Sequence, residues 1–197
     1  MVRIASAADR QAVVRTTVAA FERDPALRHF FPDDDYPRQA SHFFGYLFDK
    51  RVEHGTVWVT DDCEAAALWS PPTESADDLR RANELHDEML FEIGMESATR
   101  LIAYNSIVDE HLPSDPIWYL GVLAVHPDHA GRRLGAKVMQ AGVDHVHTAG
   151  GVAVLETTQP ANVAYYQRQG WTLTAQITTH QLPIWLLRNS EAFSGAC

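Results

Sequence analysis

Residues 118–150, WYLGVLAVHPDHAGRRLGAKVMQAGVDHVHTAG, decide how the rest of the chain is interpreted. The stretch begins with bulky aromatic and branched side chains that continue to Val125. Pro116 and Pro127 bound this run, which is typical of a buried strand. Gly121 inside the run predicts a β-bulge or a close approach of another group to the backbone. The first part of the stretch is therefore predicted to be a central strand of a sheet.

A glycine-containing loop and an amphipathic helix follow the strand. Leu134, Val138, Gly142 and Val146 recur at four-residue spacing and so share one helical face, and Gly150 marks the helix end. A strand that leads into a loop at a helix N-terminus directs several unpaired N–H groups towards one point, which makes an anion site. An ordinary strand-to-helix turn has the same pattern, so the loop alone leaves both interpretations open.

Length and composition favour one domain. The chain has 197 residues, of which 46% are hydrophobic, enough for one sizeable core and few for two ordinary domains. We therefore expect a single domain over residues 1–197. The net charge of -10 opposes non-specific binding to a nucleic-acid backbone, so no nucleic-acid partner is expected.

Neither a membrane segment nor a metal site is predicted. The N-terminus MVRIASAADR lacks the apolar stretch of a signal peptide, and no window reaches the roughly 18 apolar residues of a membrane span. Cys63 and Cys197 have neither metal spacing nor the density of a disulfide scaffold. Among the histidines, His145 and His147 would point about 200° apart on a helix, and no recognisable ligand set is complete. We expect a cytoplasmic protein without membrane partner or metal.

Short strands and helices are predicted to alternate along the remaining chain. Before the central stretch they are a strand over Val2–Ala5, a helix over about 8–22, an acidic turn over 27–37, a helix over 41–55, a hairpin of Thr56–Thr60 with Ala65–Trp69, and one or two helices over Ala76–His111. After it they are a strand over Val152–Leu155 that ends at Glu156, a helix over Pro160–Gln169, and closing strands over Trp171–Thr179 and Ile184–Leu187. This order predicts an α/β fold with a mixed sheet flanked by helices.

Two segments, LAVHPDHAGRRLGAKVM at 123–139 and LETTQPANVAYYQRQGW at 155–171, resemble the acetyl-CoA-binding core of the Gcn5-related N-acetyltransferase (GNAT) superfamily. The layout over about 116–180 is similar to the small-molecule branch that contains puromycin N-acetyltransferase. The resemblance implies a mostly antiparallel mixed sheet with a splayed strand pair. It also implies acetyl-CoA as cosubstrate and a small-molecule amine as acceptor, in a monomer or homodimer.

The family's phosphate loop, Gln/Arg-x-x-Gly-x-Gly/Ala, falls on residues 130–135. Ala130 replaces the usual Gln or Arg, and Arg133 replaces a glycine. Arg133 must adopt the backbone conformation of the loop at a cost on the order of 1–2 kcal/mol, while its guanidinium could gain a hydrogen bond of similar size from a phosphate. Because the family grips pyrophosphate mainly through main-chain N–H groups, the resemblance implies retained binding. The implied residues are Gly131, Arg132, Arg133, Leu134, Gly135 and Ala136.

The resemblance also assigns the pantetheine arm and the catalysts. The main chain of Leu123, Ala124 and Val125 is expected to pair with pantetheine, and Asn162 is expected to make a polar contact with it. Tyr166 matches the tyrosine that acts as general acid, and a phenol with a pKa of about 10 is protonated at neutral pH. Aromatic packing is the alternative role for Tyr166, although the neighbouring Tyr165 is expected to fill it.

Acetyl transfer to an amine also needs a base, since alkylamines are mostly protonated at neutral pH. Glu156, at the end of a strand beside the expected gap, is the candidate because burial would raise the pKa of its carboxyl group. It could instead only orient Asn162 or a water molecule. His111 is a second candidate because histidine titrates near neutrality.

These features predict an acetyl-CoA-dependent N-acetyltransferase that moves the acetyl group directly to a primary amine of a small molecule in a ternary complex. The altered loop motivates an alternative, a degenerate acyl-CoA-binding module with a sensing or interaction role and little catalysis. The two differ in whether thiol is released when an amine is added.

Overall fold

One seven-stranded sheet connects the elements of the computed structural model, which describes residues 1–31, 35–72, 75–179 and 182–189. The strands are β1 (Val2–Ile4), β2 (Val57–Thr60), β3 (Ala65–Ser70), β4 (Trp118–Val125), β5 (Ala153–Thr157), β6 (Thr172–Thr178) and β7 (Pro183–Asn189). Their order in the sheet is β1-β2-β3-β4-β5-β7-β6. The pair β4–β5 is parallel, and the other neighbouring pairs are antiparallel. The predicted mixed, mostly antiparallel α/β fold is therefore confirmed.

Helices cover both faces of the sheet. They are α1 (Arg10–Ala20), α2 (Pro25–Phe30), α3 (Tyr36–Val52), α4 (Ala76–Ile93), α5 (Met95–Asp109), α6 (Leu134–Thr148) and α7 (Pro160–Arg168). Side chains of α1 to α5 form one core with residues such as Val59 and Leu68, while α6 and α7 form a second core with residues such as Trp69 and Leu155. In the described part of the chain, no helix is long and apolar enough to span a membrane.

The predicted β-bulge lies in β4. Leu68 of β3 pairs with Val122 and Trp69 pairs with Leu120, so Gly121 has no partner in β3. The extra residue shifts the alternation of side chains, because Leu120 lies in the core of α6 and α7 while Val122 lies in the opposite core. A Cβ atom at Gly121 would lie 2.8 Å from Nη2 of Arg51. Glycine at this position therefore allows both the bulge and the close approach of a guanidinium.

The strands β4 and β5 separate soon after they meet. Their described pairs are Trp118 with Ala153 and Tyr119 with Val154, although β4 continues to Val125 and β5 to Thr157. Over their remaining lengths, β4 stays paired with β3 and β5 with β7. The two halves of the sheet thus diverge, and the predicted splayed pair is confirmed.

The segment predicted as an acidic turn over 27–37 begins instead within a helix, and that prediction is wrong there. Oδ1 of Asp24 accepts hydrogen bonds from the N–H groups of Ala26 and Leu27, at 2.9 and 3.1 Å. An N-cap aspartate followed by proline is a helix start, so Asp24-Pro25 begins α2, after α1 has ended at Ala20. The helix α3 likewise starts at Tyr36, earlier than the predicted 41. Residues 32–34 of the acidic run lie outside the described residues.

The packing of α6 on the sheet depends on Gly142. A Cβ atom there would overlap the indole ring of Trp69, which is fully buried. Gly142→Ala is therefore expected to lower the free energy of unfolding by about 1–3 kcal/mol, despite the higher helix propensity of alanine. Urea denaturation measures the change. Gln140→Ala, on the exposed side of α6, should change stability by less than about 0.5 kcal/mol. Equal or higher stability of Gly142→Ala would contradict this packing.

Candidate active site

A cavity of about 780 Å³ lies beside the splayed strands, between the end of β4, the N-terminus of α6 and one side of α7. We call it the loop cavity. Its lining contains all the sequence-predicted cofactor-binding residues except Ala124 and Arg132, namely Leu123, Val125, Gly131, Arg133, Leu134, Gly135, Ala136, Asn162 and Tyr166. The structure thus brings together in one cavity most of the residues that the sequence placed at one site.

Two residues of the loop have left-handed backbone conformations. The φ angle is 79° at Gly131 and 58° at Arg133. Glycine tolerates this region, whereas a residue with a Cβ atom incurs strain on the order of 1–2 kcal/mol. The conformational constraint expected at Arg133 is therefore present. The conformation directs its side chain into the lining of the loop cavity.

The loop cavity is locally basic. Arg133 and Arg168 line it together with His129, and none of its described lining residues is Asp or Glu. The N-terminus of α6 adds N–H groups and the positive end of the helix dipole. On a chain with a net charge of -10, this surface is suited to a phosphate-bearing ligand. Sequence reasoning missed Arg168, because its place depends on how α7 rotates towards the loop.

Arg132 and Ala124 lie differently from the other predicted binding residues. Nη1 of Arg132 lies 3.3 Å from Oε1 of Glu64 and 2.6 Å from Nδ1 of His129, outside the lining of the cavity. The side chain of Ala124 is buried in the core on the α1 to α5 side, and the residue pairs with Ala66 in β3. Main-chain contacts are the role that remains for Ala124, and the guanidinium of Arg132 contacts Glu64 and His129 and does not line the cavity.

A second cavity of about 330 Å³ adjoins the first. We call it the inner cavity. The two share Leu123, Val125, Asn162 and Tyr166 in their linings, and Glu156 lines the inner cavity. Of the two predicted catalytic residues, Tyr166 lines both cavities and Glu156 lines the inner cavity, on β5 where it has diverged from β4.

Glu156 is held by a tyrosine that sequence reasoning missed. The hydroxyl of Tyr119 donates a hydrogen bond to Oε2 of Glu156. Tyr119 pairs with Val154, and Glu156 follows two residues later on the same face of β5. Tyr119 belongs to the stretch that identified the central strand, but its partner depends on the register between β4 and β5, which one sequence does not reveal.

The environment of Glu156 makes its carboxyl group a weaker acid than an exposed glutamate. Burial raises the pKa of its carboxyl group to about 7, against the opposing effects of the hydrogen bond from Tyr119 and the positive charge of Arg51. The sequence analysis also predicted that burial would raise the pKa of Glu156. With this pKa the carboxyl group is about half ionised at neutral pH, so it can accept a proton from a ligand and release it again.

Tyr166 combines packing with access to both cavities. Its ring is 8% exposed and contacts the rings of Tyr165 and Trp171, with centroid distances of 5.3 and 6.1 Å. Its hydroxyl has no hydrogen-bond partner among the described residues. Burial, followed by the nearby Tyr165 and carboxylates, raises the pKa of the phenol, so it stays protonated at neutral pH. Tyr165 is less buried and also lines the loop cavity, so the two tyrosines share the packing role expected for Tyr165.

Asn162 and His111 have different relations to the site. Nδ2 of Asn162 donates to Oγ1 of Thr157 at 3.2 Å, and Asn162 lines both cavities. His111 is exposed, its Nδ1 lies 2.8 Å from the carbonyl oxygen of Ile107, and it lines neither cavity. The structure therefore does not support His111 as the base. His111 is close to β4 in the sequence but does not lie close to Glu156, because it follows the end of α5.

No group of three or more His, Cys, Asp or Glu side chains in the described ranges is arranged to hold a metal ion. Cys63 is buried and lines neither cavity. Cys197 lies outside the described residues. Among the predicted catalytic residues, Glu156 and Tyr166 are those that line the inner cavity.

The model of the acetyltransferase (GNAT) family matches residues 58–171, and the chain belongs to this family. The family uses acetyl-CoA as cosubstrate.

Solved structures share the fold over nearly the whole chain. One is histone acetyltransferase HPA2 and related acetyltransferase from Corynebacterium glutamicum, with 19% identity, a TM-score of 0.71, and coverage of 100% of this chain and 98% of that one. A polyamine N-acetyltransferase of Drosophila melanogaster that forms N-acetylagmatine has 16% identity, a TM-score of 0.58, and coverage of 96% and 99%. A mosquito arylalkylamine N-acetyltransferase like 5b has 16% identity, a TM-score of 0.58, and coverage of 96% and 98%. At these identities the similarity shows the fold.

Substitution of Arg133 separates backbone strain from ligand binding. Arg133→Gly is expected to raise the free energy of unfolding by about 1 kcal/mol, because glycine relieves the left-handed strain. It should also weaken coenzyme A binding about 10-fold, since a guanidinium beside a phosphate is lost. Urea denaturation and calorimetric titration measure the two effects.

The neighbouring arginine provides a matched control for this experiment. Arg132→Ala should leave coenzyme A affinity within about twofold, because the guanidinium of Arg132 contacts Glu64 and His129. Tighter coenzyme A binding by Arg133→Gly would contradict the role in phosphate binding and identify Arg133 as a defect of the loop.

Proposed function

We propose that this protein is an acetyl-CoA-dependent N-acetyltransferase that transfers the acetyl group directly to a primary amine of a small molecule. The observation that carries the proposal is the pair of adjoining cavities: Tyr166 lines both, and Glu156 lines the inner one. Two adjoining cavities allow acetyl-CoA and an amine to be bound at the same time. A ternary complex needs no covalent enzyme intermediate, and Cys63 lines neither cavity.

The loop cavity would hold the cofactor. Its pyrophosphate lies at the N-terminus of α6, near Arg133 and Arg168. The pantetheine arm follows β4 from Leu123 to Val125, because β5 has diverged there and no longer pairs with this edge. Asn162 contacts the arm from α7. The thioester thereby reaches the inner cavity through the gap in the sheet.

The amine would bind in the inner cavity and lose a proton to Glu156, directly or through a water molecule. The neutral nitrogen then attacks the thioester carbonyl carbon, and a C–N bond forms. A main-chain N–H group of β4 stabilises the oxyanion. With a pKa of about 7, Glu156 is basic enough to take the proton and acidic enough to return it to solvent.

Collapse of the tetrahedral intermediate breaks the C–S bond. Tyr166 donates its proton to the departing sulfur, and the second proton of the nitrogen passes through water to the resulting tyrosinate, which restores Tyr166. The nitrogen loses two protons over the whole reaction, of which one ends on the thiol and one in solvent. The products are an amide and coenzyme A.

The proposal is tested by calorimetric titration with acetyl-CoA, followed by thiol release across a panel of primary amines. Saturable binding and amine-dependent thiol release are expected. The left-handed Arg133 favours one alternative, an acyl-CoA-binding module with a sensing or interaction role. Binding without thiol release for any amine would favour that alternative, and no binding at millimolar acetyl-CoA would refute both. A single domain over 1–197, a cytoplasmic location, a monomeric or homodimeric state and the absence of nucleic-acid and membrane partners stay predictions.

A further inference from the structure

We infer that the acceptor is a primary amine with a single positive charge and an aromatic body, rather than a polyamine, an amino acid or a phosphorylated amine. The inference rests on the proposed function, and it names the substrate class for the same inner cavity. Three properties of that cavity carry it: the rings along one wall, the sign of its charged groups, and the contacts of Asp24.

One wall of the inner cavity is aromatic. Its rings come from four segments around α1, α2, α3 and α5, and they are Phe21, Phe30, Phe43, Phe44 and Tyr104. Phe44 contacts both Phe21 and Phe43 with centroid distances of 5.3 Å, and Phe30 contacts Tyr104 edge-on at 5.1 Å. Aromatic rings prefer such tilted and edge-on neighbours, so a planar ring of the acceptor can join the network. Ring faces also attract a nearby ammonium group.

Polar side chains also line the inner cavity. Thr157 and Asn162 belong to β5 and α7, next to the loop cavity. An acceptor whose ring lies against the aromatic wall therefore presents its amine towards Glu156 and the thioester. This orientation is the one that the transfer needs.

The charged groups that line the inner cavity have one sign. They are Asp24 and Glu156, and its described lining contains no Lys, Arg or His. An acceptor that carries a carboxylate or phosphate would face these two acids within the lining, which is unfavourable in a partly desolvated site. The cation that acts on Glu156, Arg51, lines an adjoining cavity instead. An ammonium group is favoured, because its positive charge is opposite to that of these acids.

Asp24 is already engaged by the protein. Its Oδ1 caps α2 through the N–H groups of Ala26 and Leu27, and its Oδ2 accepts a hydrogen bond from Nε2 of Gln159 at 2.8 Å. These contacts tie α2 to the residue before α7 across the cavity. Glu156 is then the carboxylate that remains for an ammonium group. A second ammonium or a guanidinium has no further acidic partner in the described lining.

The inference is tested by kcat/KM for a set of amines at saturating acetyl-CoA. The set contains 2-phenylethylamine, the saturated analogue 2-cyclohexylethylamine, putrescine, agmatine and phenylalanine. We expect kcat/KM for 2-phenylethylamine to exceed those for putrescine, agmatine and phenylalanine by at least about 10-fold, since each of these adds an unmatched charge.

A variant isolates the contribution of the rings. Phe21→Leu should lower kcat/KM for 2-phenylethylamine by about fivefold but that for 2-cyclohexylethylamine by less than about twofold, because leucine keeps an apolar contact and removes a ring. Unchanged acetyl-CoA affinity confirms that the variant is folded. An equal loss for both amines would overturn the aromatic specificity.

The outcomes separate this inference from the proposed function. Preferred turnover of putrescine or agmatine would refute the substrate class and leave the N-acetyltransferase proposal standing. Preferred turnover of phenylalanine would do the same. Binding of acetyl-CoA with turnover of none of these amines would refute the substrate class, and the wider panel of primary amines would then decide the N-acetyltransferase proposal.

Discussion

Glu156→Gln is expected to lower kcat by at least about 10²-fold, the usual contribution of a positioned general base. Glutamine keeps the size of the side chain and can still accept a hydrogen bond from Tyr119, but it cannot take a proton from the amine. Steady-state thiol release with a good amine substrate measures the effect. A turnover within about threefold of that of the unmodified protein would exclude Glu156 as the base.

The pH dependence gives this prediction a second readout. The pKa of Glu156 in the folded protein is about 7, and the base must be ionised. The value of kcat/KM should therefore rise with pH through about 7, and this step should be absent in Glu156→Gln. Tyr119→Phe removes a hydrogen bond that lowers the pKa of Glu156, so it should move the step to higher pH.

We do not expect the lower kcat of Glu156→Gln to result from unfolding of the variant. Burial raises the pKa of Glu156 above its usual value, so the folded state binds the proton more tightly than the unfolded state. Stability from this group is therefore present at low pH and lost as pH rises through the folded pKa. A neutral glutamine avoids the buried charge, and Glu156→Gln should be at least as stable above about pH 7. Thermal denaturation at two pH values checks this.

Tyr166→Phe is expected to lower kcat by about 10²-fold with little change in the Kd for acetyl-CoA. The substitution removes only the hydroxyl, which has no hydrogen-bond partner among the described residues, and keeps the ring against Trp171. The departing thiolate then loses its proton donor. Thiol release and calorimetric titration separate the two parameters.

The neighbouring tyrosine is the matched control. Tyr165 lines the loop cavity but not the inner cavity, so Tyr165→Phe should change kcat by less than about threefold. Unaltered turnover of Tyr166→Phe would remove Tyr166 from the mechanism. An equal loss in both variants would indicate a packing effect instead.

The sequence predicted the parts of the fold that depend on local chemistry. Gly121 within a run of strand residues predicted the bulge, which the register around Leu68 and Trp69 shows. The four-residue spacing from Leu134 to Val146 predicted the buried face of α6. The resemblance to the family's loop, which has a glycine where this chain has Arg133, predicted that Arg133 would be conformationally constrained, and its φ of 58° lies in the left-handed region.

Features that depend on the relation between distant segments could not be predicted. The position of β7 between β5 and β6 follows from pairing that local patterns do not specify. The bond from Tyr119 to Glu156 requires the parallel register of β4 and β5. Asp24 was interpreted as the end of one helix, although the same residue caps the next helix and binds Gln159 far along the chain.

The measurement that tests direct transfer most directly is a single-turnover experiment with the protein in excess over acetyl-CoA. The amine is either omitted or added, and the intact mass of the protein and the amount of acetylated amine are followed over time. We expect amide and thiol to form in equal amounts only when the amine is present, with no change in the mass of the protein. An acetyl group on the protein, or thiol release without an amine, would contradict direct transfer in a ternary complex.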